Sequence, residues 1–162
     1  MSVYLDNNVV SAIALNDTPQ ESAALVKLVK AYDDGRVRLV TSELTLDEIN
    51  AFQGSTQPLV QTFESLKSVP IVRWDELMGI NHQIGPNTMI NSPMIQNDPL
   101  YQALLKQGLK IVDAQHVFVA AKNECSTFLT CDKGILSRSF AIGKLCPVTV
   151  QKPSAFVAIQ GW

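Results

Sequence analysis

Four acidic residues stand out by position: Asp6, Glu48, Asp113 and Asp132. Asp6 ends the apolar run Val3-Tyr4-Leu5. Asp132 comes two residues after Thr127-Phe128-Leu129-Thr130, and Asp113 follows Leu109-Lys110-Ile111-Val112 and opens a helical stretch. Glu48 lies one or two turns into the helix after the second apolar run. If the runs are parallel strands, their carboxyl ends meet at one edge, where open α/β sheets bind ligands. Converging carboxylates suit a hard divalent cation. Mg²⁺ takes oxygen ligands, keeps water and leaves positions for a substrate phosphate. One ion or a pair would activate water and stabilise the leaving oxygen of an in-line phosphodiester displacement.

Neutral polar residues accompany the acids. Asn7 and Asn8 follow Asp6, Thr130 precedes Asp132, and Ser42 comes shortly before Glu48. They are candidates to orient water or the scissile phosphate. His116, three residues after Asp113 on the same helical face, fits packing or support of a site carboxylate better than general-base catalysis. Lys133 and Arg138 are candidate phosphate contacts, although ordinary solvated cations account for them as well. Cys131 reads as a small buried filler, and Ala114, Ala120 and Ala121 as residues that permit close packing. Glu43 and Asp47 flank Glu48 and are partial substitutes for it.

A plainer account of the acids is helix capping. Asp is a favoured N-cap, and Asp6, Asp113 and Asp132 all precede helical stretches. Thr45-Leu46-Asp47-Glu48 also matches a capping box. Capping alone does not explain three such acids at strand-to-helix turns on one sheet edge, and one residue can both cap and bind metal.

The elements that must position these residues alternate. Val3-Tyr4-Leu5, Val37–Val40, Val69–Val72 (with a Pro that marks a strand start or an edge), Thr127–Thr130 and Pro147–Val150 read as strands. Glu21–Tyr32 puts Ala24, Leu25, Leu28, Val29 and Tyr32 on one face of a helix, with Gly35 as its stop. Leu44–Phe52, Leu59–Leu66, Leu100–Leu105, Asp113–Asn123 and Lys133–Phe140 read as further helices, the last being the final clear one. This alternation predicts a mainly parallel sheet of four to five strands with helices on both faces, an α/β/α sandwich. Residues 80–99, with Pro86, Pro93 and Pro99 and several Asn, read as a long irregular insertion, either a lid or binding loop or a plain surface loop.

A chain of 162 residues, 46% hydrophobic and 17% charged, predicts one globular domain over 1–162. No apolar run approaches the roughly 20 residues of a membrane span. No basic segment precedes Asp6, so no signal peptide is expected. Three cysteines without metal-ligand spacing and two histidines argue against zinc and fit a reducing cytoplasm. The net charge of −2 gives no general attraction for nucleic acid, so any phosphate-binding surface must be local, or come from a second subunit or bound ions.

The chain resembles the PIN domain family, and within it the VapC-type toxin-like ribonucleases. The resemblance rests on Val3–Val9, Thr41–Ile49, Asp113–Ala121 and Phe128–Lys133, which occur in family order across residues 3 to 133. It implies a central parallel sheet with helices on both sides, dependence on Mg²⁺ or Mn²⁺, and endonucleolytic cleavage of RNA. It implies Asp6, Glu48, Asp113 and Asp132 as the catalytic and metal-site acids, with Asn8, Ser42, His116 and Thr130 in support. Many small members resemble the toxin halves of type II toxin–antitoxin pairs, which implies a homodimer and an antitoxin protein partner. Such toxins tend to be shorter than this chain, and the stretch at 80–99 departs from their compact pattern. The alternative is a non-catalytic PIN-like module that binds RNA or protein. A phosphoacceptor receiver domain and a haloacid-type phosphatase fit poorly, because Asn7 and Asn8 follow Asp6 where those folds need a second acid.

Overall fold

The structure is a computed structural model that describes residues 1–9, 11, 18–42, 44–45, 71–72 and 96–162, with backbone alone at 71–72. Among these residues, five strands form one parallel sheet. They are β1 (Ser2–Leu5), β2 (Arg38–Ser42), β3 (Ile71–Val72), β4 (Thr127–Leu129) and β5 (Thr149–Gln151), in the order β3-β2-β1-β4-β5. The order reverses between β1 and β4. That is the switch point at which open parallel sheets leave a crevice beyond their strand ends.

Period-two alternation divides the sheet into two faces. Tyr4 lies opposite Val40 and Phe128, and Phe128 lies opposite Val150. This row packs with Leu104, Val117, Phe118, Ile135 and Ile142 from helices α2 (Pro99–Lys106), α3 (Ile111–Lys122), α4 (Lys133–Leu136) and α5 (Ser139–Leu145). Val3, Leu5, Leu39 and Leu129 face the other way. They pack with Leu25, Leu28, Phe156 and Val157 from α1 (Pro19–Asp33) and α6 (Pro153–Gln160). The Tyr4 and Phe128 rings stack at 5.2 Å across the switch point, which adds a specific aromatic contact to the burial of both side chains.

Within the second layer, α1 and α6 are joined at a helix start. α6 has Pro at the start and no side-chain cap of its own. The buried Glu21 of α1 substitutes, accepting from the Ser154 N–H at 2.9 Å and from the Ser154 hydroxyl at 2.7 Å. Thus α1 and α6 are tied by one carboxylate that takes up orphan donors at a helix start. Among the described residues no helix is long and apolar enough to cross a membrane.

Several sequence expectations need correction. Leu109–Val112 is not a strand. Ile111 and Val112 form the first turn of α3 and are exposed, so their β-branched pair gains no sheet partner. Lys133–Phe140 is not one helix but breaks at Ser137–Arg138 between α4 and α5. The cause is local: the Gly134 carbonyl is taken by the Ser137 hydroxyl and the Arg138 guanidinium, both at 2.8 Å, while the Arg138 N–H turns back to Ile135. Side chains have displaced the helical ladder there. α6 is an additional helix beyond the last one expected. Asp98 and Pro99, placed in the insertion, instead begin α2, with Asp98 as its N-cap. β2 runs two residues further than expected and β4 stops one short. Residues 80–95, the helices expected over 46–52 and 59–66, and Glu48 itself lie outside the described residues.

Candidate active site

β1 and β4 pair Leu5 with Leu129, so the next residues, Asp6 and Thr130, emerge side by side at the carboxyl edge. The Asp6 N–H continues the ladder to the Leu129 carbonyl at 3.1 Å. Asp6 is 3% exposed. Its Oδ1 accepts from the Asn7 N–H at 2.8 Å, and its Oδ2 accepts from the Thr130 hydroxyl at 2.7 Å. The Thr130 oxygen in turn accepts from the Asp132 N–H at 2.9 Å. Asn8 Oδ1 accepts from the Cys131 N–H at 2.9 Å and lies 3.2 Å from the Thr130 hydroxyl. Thr130 has one proton, and the shorter bond to a carboxylate is the stronger claim on it. The Asn8 oxygen is therefore held by backbone, which leaves the donor end of its amide for the cavity that Asn8 lines.

That cavity, of about 490 Å³, is walled by Gly108, Leu109, Lys110 and Asp113 on one side and by Cys131, Asp132, Lys133, Gly134 and Arg138 on the other. Asp113 lies in the first turn of α3 and Asp132 is the N-cap of α4. Asp132 Oδ1 accepts from the Ile135 N–H at 3.0 Å. Its Oδ2 has no hydrogen-bond partner among the described residues. Gly134 is required beneath it, since a Cβ there would sit 2.8 Å from Asp132 Oδ1. The three cations on the walls answer the charge problem posed by a chain of net charge −2: positive charge is concentrated beside the acids.

The acids are therefore not equivalent, as their matching sequence positions suggested. Asp132 caps α4 in the ordinary way. Asp113 follows an N-cap lysine that makes no side-chain bond, and complements the α3 dipole from inside the first turn. Asp6 bonds its own neighbour and Thr130. The structure brings Asp6, Asn8, Thr130 and Asp132 into one network and puts Asp113 and Asp132 on one cavity.

Ser42 and His116 meet at Tyr4. Both are buried, and the Tyr4 hydroxyl bonds Ser42 Oγ at 2.5 Å and His116 Nδ1 at 2.8 Å. The three side chains tie β1, β2 and α3 together. Cys131 is half-buried and lines the cavity, so it is not the buried filler expected. Burial, then the Glu21 and Asp6 carboxylates, push its thiol up, against the Lys152 ammonium. A protonated thiol is a poor nucleophile. Sequence reasoning missed Gly108 and Lys110 as wall residues. Gly108 at a helix-ending position was the available signal, and it has φ +78°.

The donor set is all oxygen: carboxylates, an amide and a hydroxyl. That chemistry fits Mg²⁺ or Mn²⁺, and Mg²⁺ in particular is held by one or two carboxylates plus waters and phosphate. Asp113 and Asp132 would supply that pair, and among the described residues the buried Asn7 Oδ1, next to Asp6, has no hydrogen-bond partner. Among the described residues no three Asp, Glu, His or Cys side chains gather as a closed metal cluster.

Strand order and two helical layers define a PIN-like three-layer α/β/α sandwich. Among solved structures, a chain in the crystal structure of VapBC2 from Rickettsia felis bound to a DNA fragment from their promoter is similar. The TM-score is 0.55 and the identity 13%, over 94% of this chain and 98% of that one. At this identity the likeness is one of fold. No family model and no curated protein matches the sequence.

Proposed function

We propose that this protein is a Mg²⁺- or Mn²⁺-dependent endoribonuclease and the toxin half of a type II toxin–antitoxin pair. One observation carries the reading: Asp113 and Asp132 share a cavity at the sheet's switch point, with Asp6 joined to the same edge through Thr130. Asp113 and Asp132, which share the cavity, would hold the cation, with Asp6 and Glu48 as the further acids expected from sequence. When bound, such an ion supplies the charge that activates water and stabilises the leaving oxygen of a phosphodiester. Thr130 holds and aims the Asp6 carboxylate by donating to Oδ2. Asn8 offers its amide N–H to a phosphate oxygen or a water. Lys110 and Lys133 draw an RNA backbone to a site that would otherwise repel it.

The fold likeness to a VapBC2 chain supports a protein antitoxin as partner, and that pair's promoter DNA supports a regulatory complex of the same kind. A homodimer and RNA as substrate follow from the family resemblance. The alternative is a non-catalytic PIN-like binding module. Incubation of purified protein with a panel of single-stranded and structured RNAs separates the two. Cleavage with Mg²⁺ or Mn²⁺, stopped by chelator, is expected; intact RNA with either metal at neutral pH favours the binding module.

A further inference from the structure

Arg138 sits at the break between α4 and α5, and it lines the cavity. Its Nε–H donates to the Gln107 carbonyl at 2.8 Å, on the turn that leads from α2 into α3. Its Nη1 donates to the Gly134 carbonyl at 2.8 Å, in α4, and lies 3.3 Å from Ser137 Oγ. One planar group thus spans both walls. Asp113 belongs to the first wall and Asp132 to the second. Gly108 permits the approach: a Cβ there would lie 3.3 Å from Arg138 Nη2, at a φ of +78° that side chains rarely adopt.

We propose that Arg138 is a positioning residue whose guanidinium fixes the gap between the Asp113 and Asp132 carboxylates, and so the geometry in which they take a divalent cation. The inference rests on the metal-site reading above. A fixed fork of donors can hold two carbonyls on separate elements at once, whereas a lysine ammonium on a flexible stem cannot hold that plane. Its Nε–H and Nη1 bond backbone in two directions, so its role in the site acts through the walls it joins.

The test compares wild type with Arg138→Lys in Mn²⁺-titrated thermal melts and in cleavage of a single-stranded RNA oligomer. Arg138→Lys should fold, need about tenfold more Mn²⁺ for half of the melting-temperature rise, and lose about tenfold or more in kcat, with KM within about threefold. A plain strut would lower the metal-free melting temperature yet leave the Mn²⁺ midpoint and kcat unchanged, and that result overturns the proposal. If Arg138→Lys does not fold, Gly108→Ala, which crowds the guanidinium while keeping it, decides. A smaller shift of the Mn²⁺ midpoint in the same direction supports the proposal, and an unchanged midpoint rejects it. A wild-type protein indifferent to Mn²⁺ removes the metal site, and the positioning role with it. A wild-type response that the variants share in full removes the positioning role alone.

Discussion

Two aspartates cap helices on the same face of the sheet, and they differ in what happens to the second oxygen. Asp98 caps α2 through the Leu100 N–H at 2.8 Å, and its Oδ2 is taken by the Lys122 ammonium at 2.8 Å. Asp132 caps α4 through the Ile135 N–H at 3.0 Å, its Oδ2 has no hydrogen-bond partner among the described residues, and it lines a cavity shared with Asp113. The cap chemistry is the same in both. What separates a structural acid from a candidate ligand is the partner of the remaining oxygen, and sequence spacing does not carry that information. Asp98, inside a segment read as irregular, makes the better-satisfied cap.

The sharpest way to break this comparison is to remove charge at the cavity while keeping helix starts intact. Carboxylates about 5 Å apart repel by roughly 3 kcal/mol at an effective dielectric near 20, before salt screening. A helix N-terminus offsets only about 0.3–1 kcal/mol of that per acid. A cation that binds only the folded chain stabilises it by mass action. Asp113→Asn should therefore abolish cleavage, by about 100-fold or more, and flatten the Mn²⁺-induced rise in melting temperature. Its metal-free fold should be as stable as wild type or more so. Equal Mn²⁺ responses in thermal melts of the two proteins would exclude Asp113 as a ligand.

Thr130 tests whether Asp6 belongs with the cavity. Thr130→Val keeps shape but strips a donor from a buried carboxylate and an acceptor from the Asp132 N–H. The cost should be about 1–3 kcal/mol in chemical denaturation, accompanied by a weaker Mn²⁺ response. Thr130→Ser should restore most of both. A Val variant as stable as wild type would mean that the network at the ends of β1 and β4 is not what holds Asp6.

Asp132 separates the two roles within one residue. Asn caps about as well as Asp, while Ala does not. Asp132→Asn and Asp132→Ala should both lose cleavage, but only Ala should lose about 0.5–2 kcal/mol of stability. If Asn retains activity in an RNA assay, capping is all that Asp132 contributes.

The layered fold was legible because alternation is a strong signal: Val3, Tyr4 and Leu5 face opposite layers, and Ala24, Leu25 and Leu28 line one helical stripe. What misled was local resemblance without tertiary context. Ile111 and Val112 look like strand residues but lie exposed in the first turn of a helix, where packing overrides propensity. The break at Ser137–Arg138 had no Pro to announce it, since it depends on side chains capturing the Gly134 carbonyl. α6 was legible in hindsight from Pro153 at its start and Gly161, at φ +71°, at its end. At the site the acids and their polar neighbours were readable as residue types. The differences among the acids, the meeting of Ser42 and His116 at Tyr4, and the bridge made by Arg138 depend on register and rotamer, which spacing does not encode.

The smallest effect completes the comparison at Asp98. Burial pushes its carboxyl upward, but the hydrogen bond and charge of Lys122, together with the Leu100 and Tyr101 N–H groups, outweigh burial and hold it below its ordinary value. A carboxyl depressed in the folded state stabilises the protein above its unfolded pKa, about 3.9. That contribution fades as pH falls through the lower folded value. Asp98→Asn keeps the cap and deletes the charge, so the difference from wild type isolates the Lys122 pair. With Lys122 substantially exposed, the difference at pH 7 should be no more than about 1 kcal/mol. It should hold down to about pH 5, shrink below about pH 4, and respond to salt but not to Mn²⁺. Denaturation of both proteins from pH 3 to pH 7, with and without Mn²⁺, measures all of this. A Mn²⁺-dependent difference at Asp98 would erase the distinction between the two caps, whereas a metal response confined to Asp132 and Asp113 would fix it in the second oxygen.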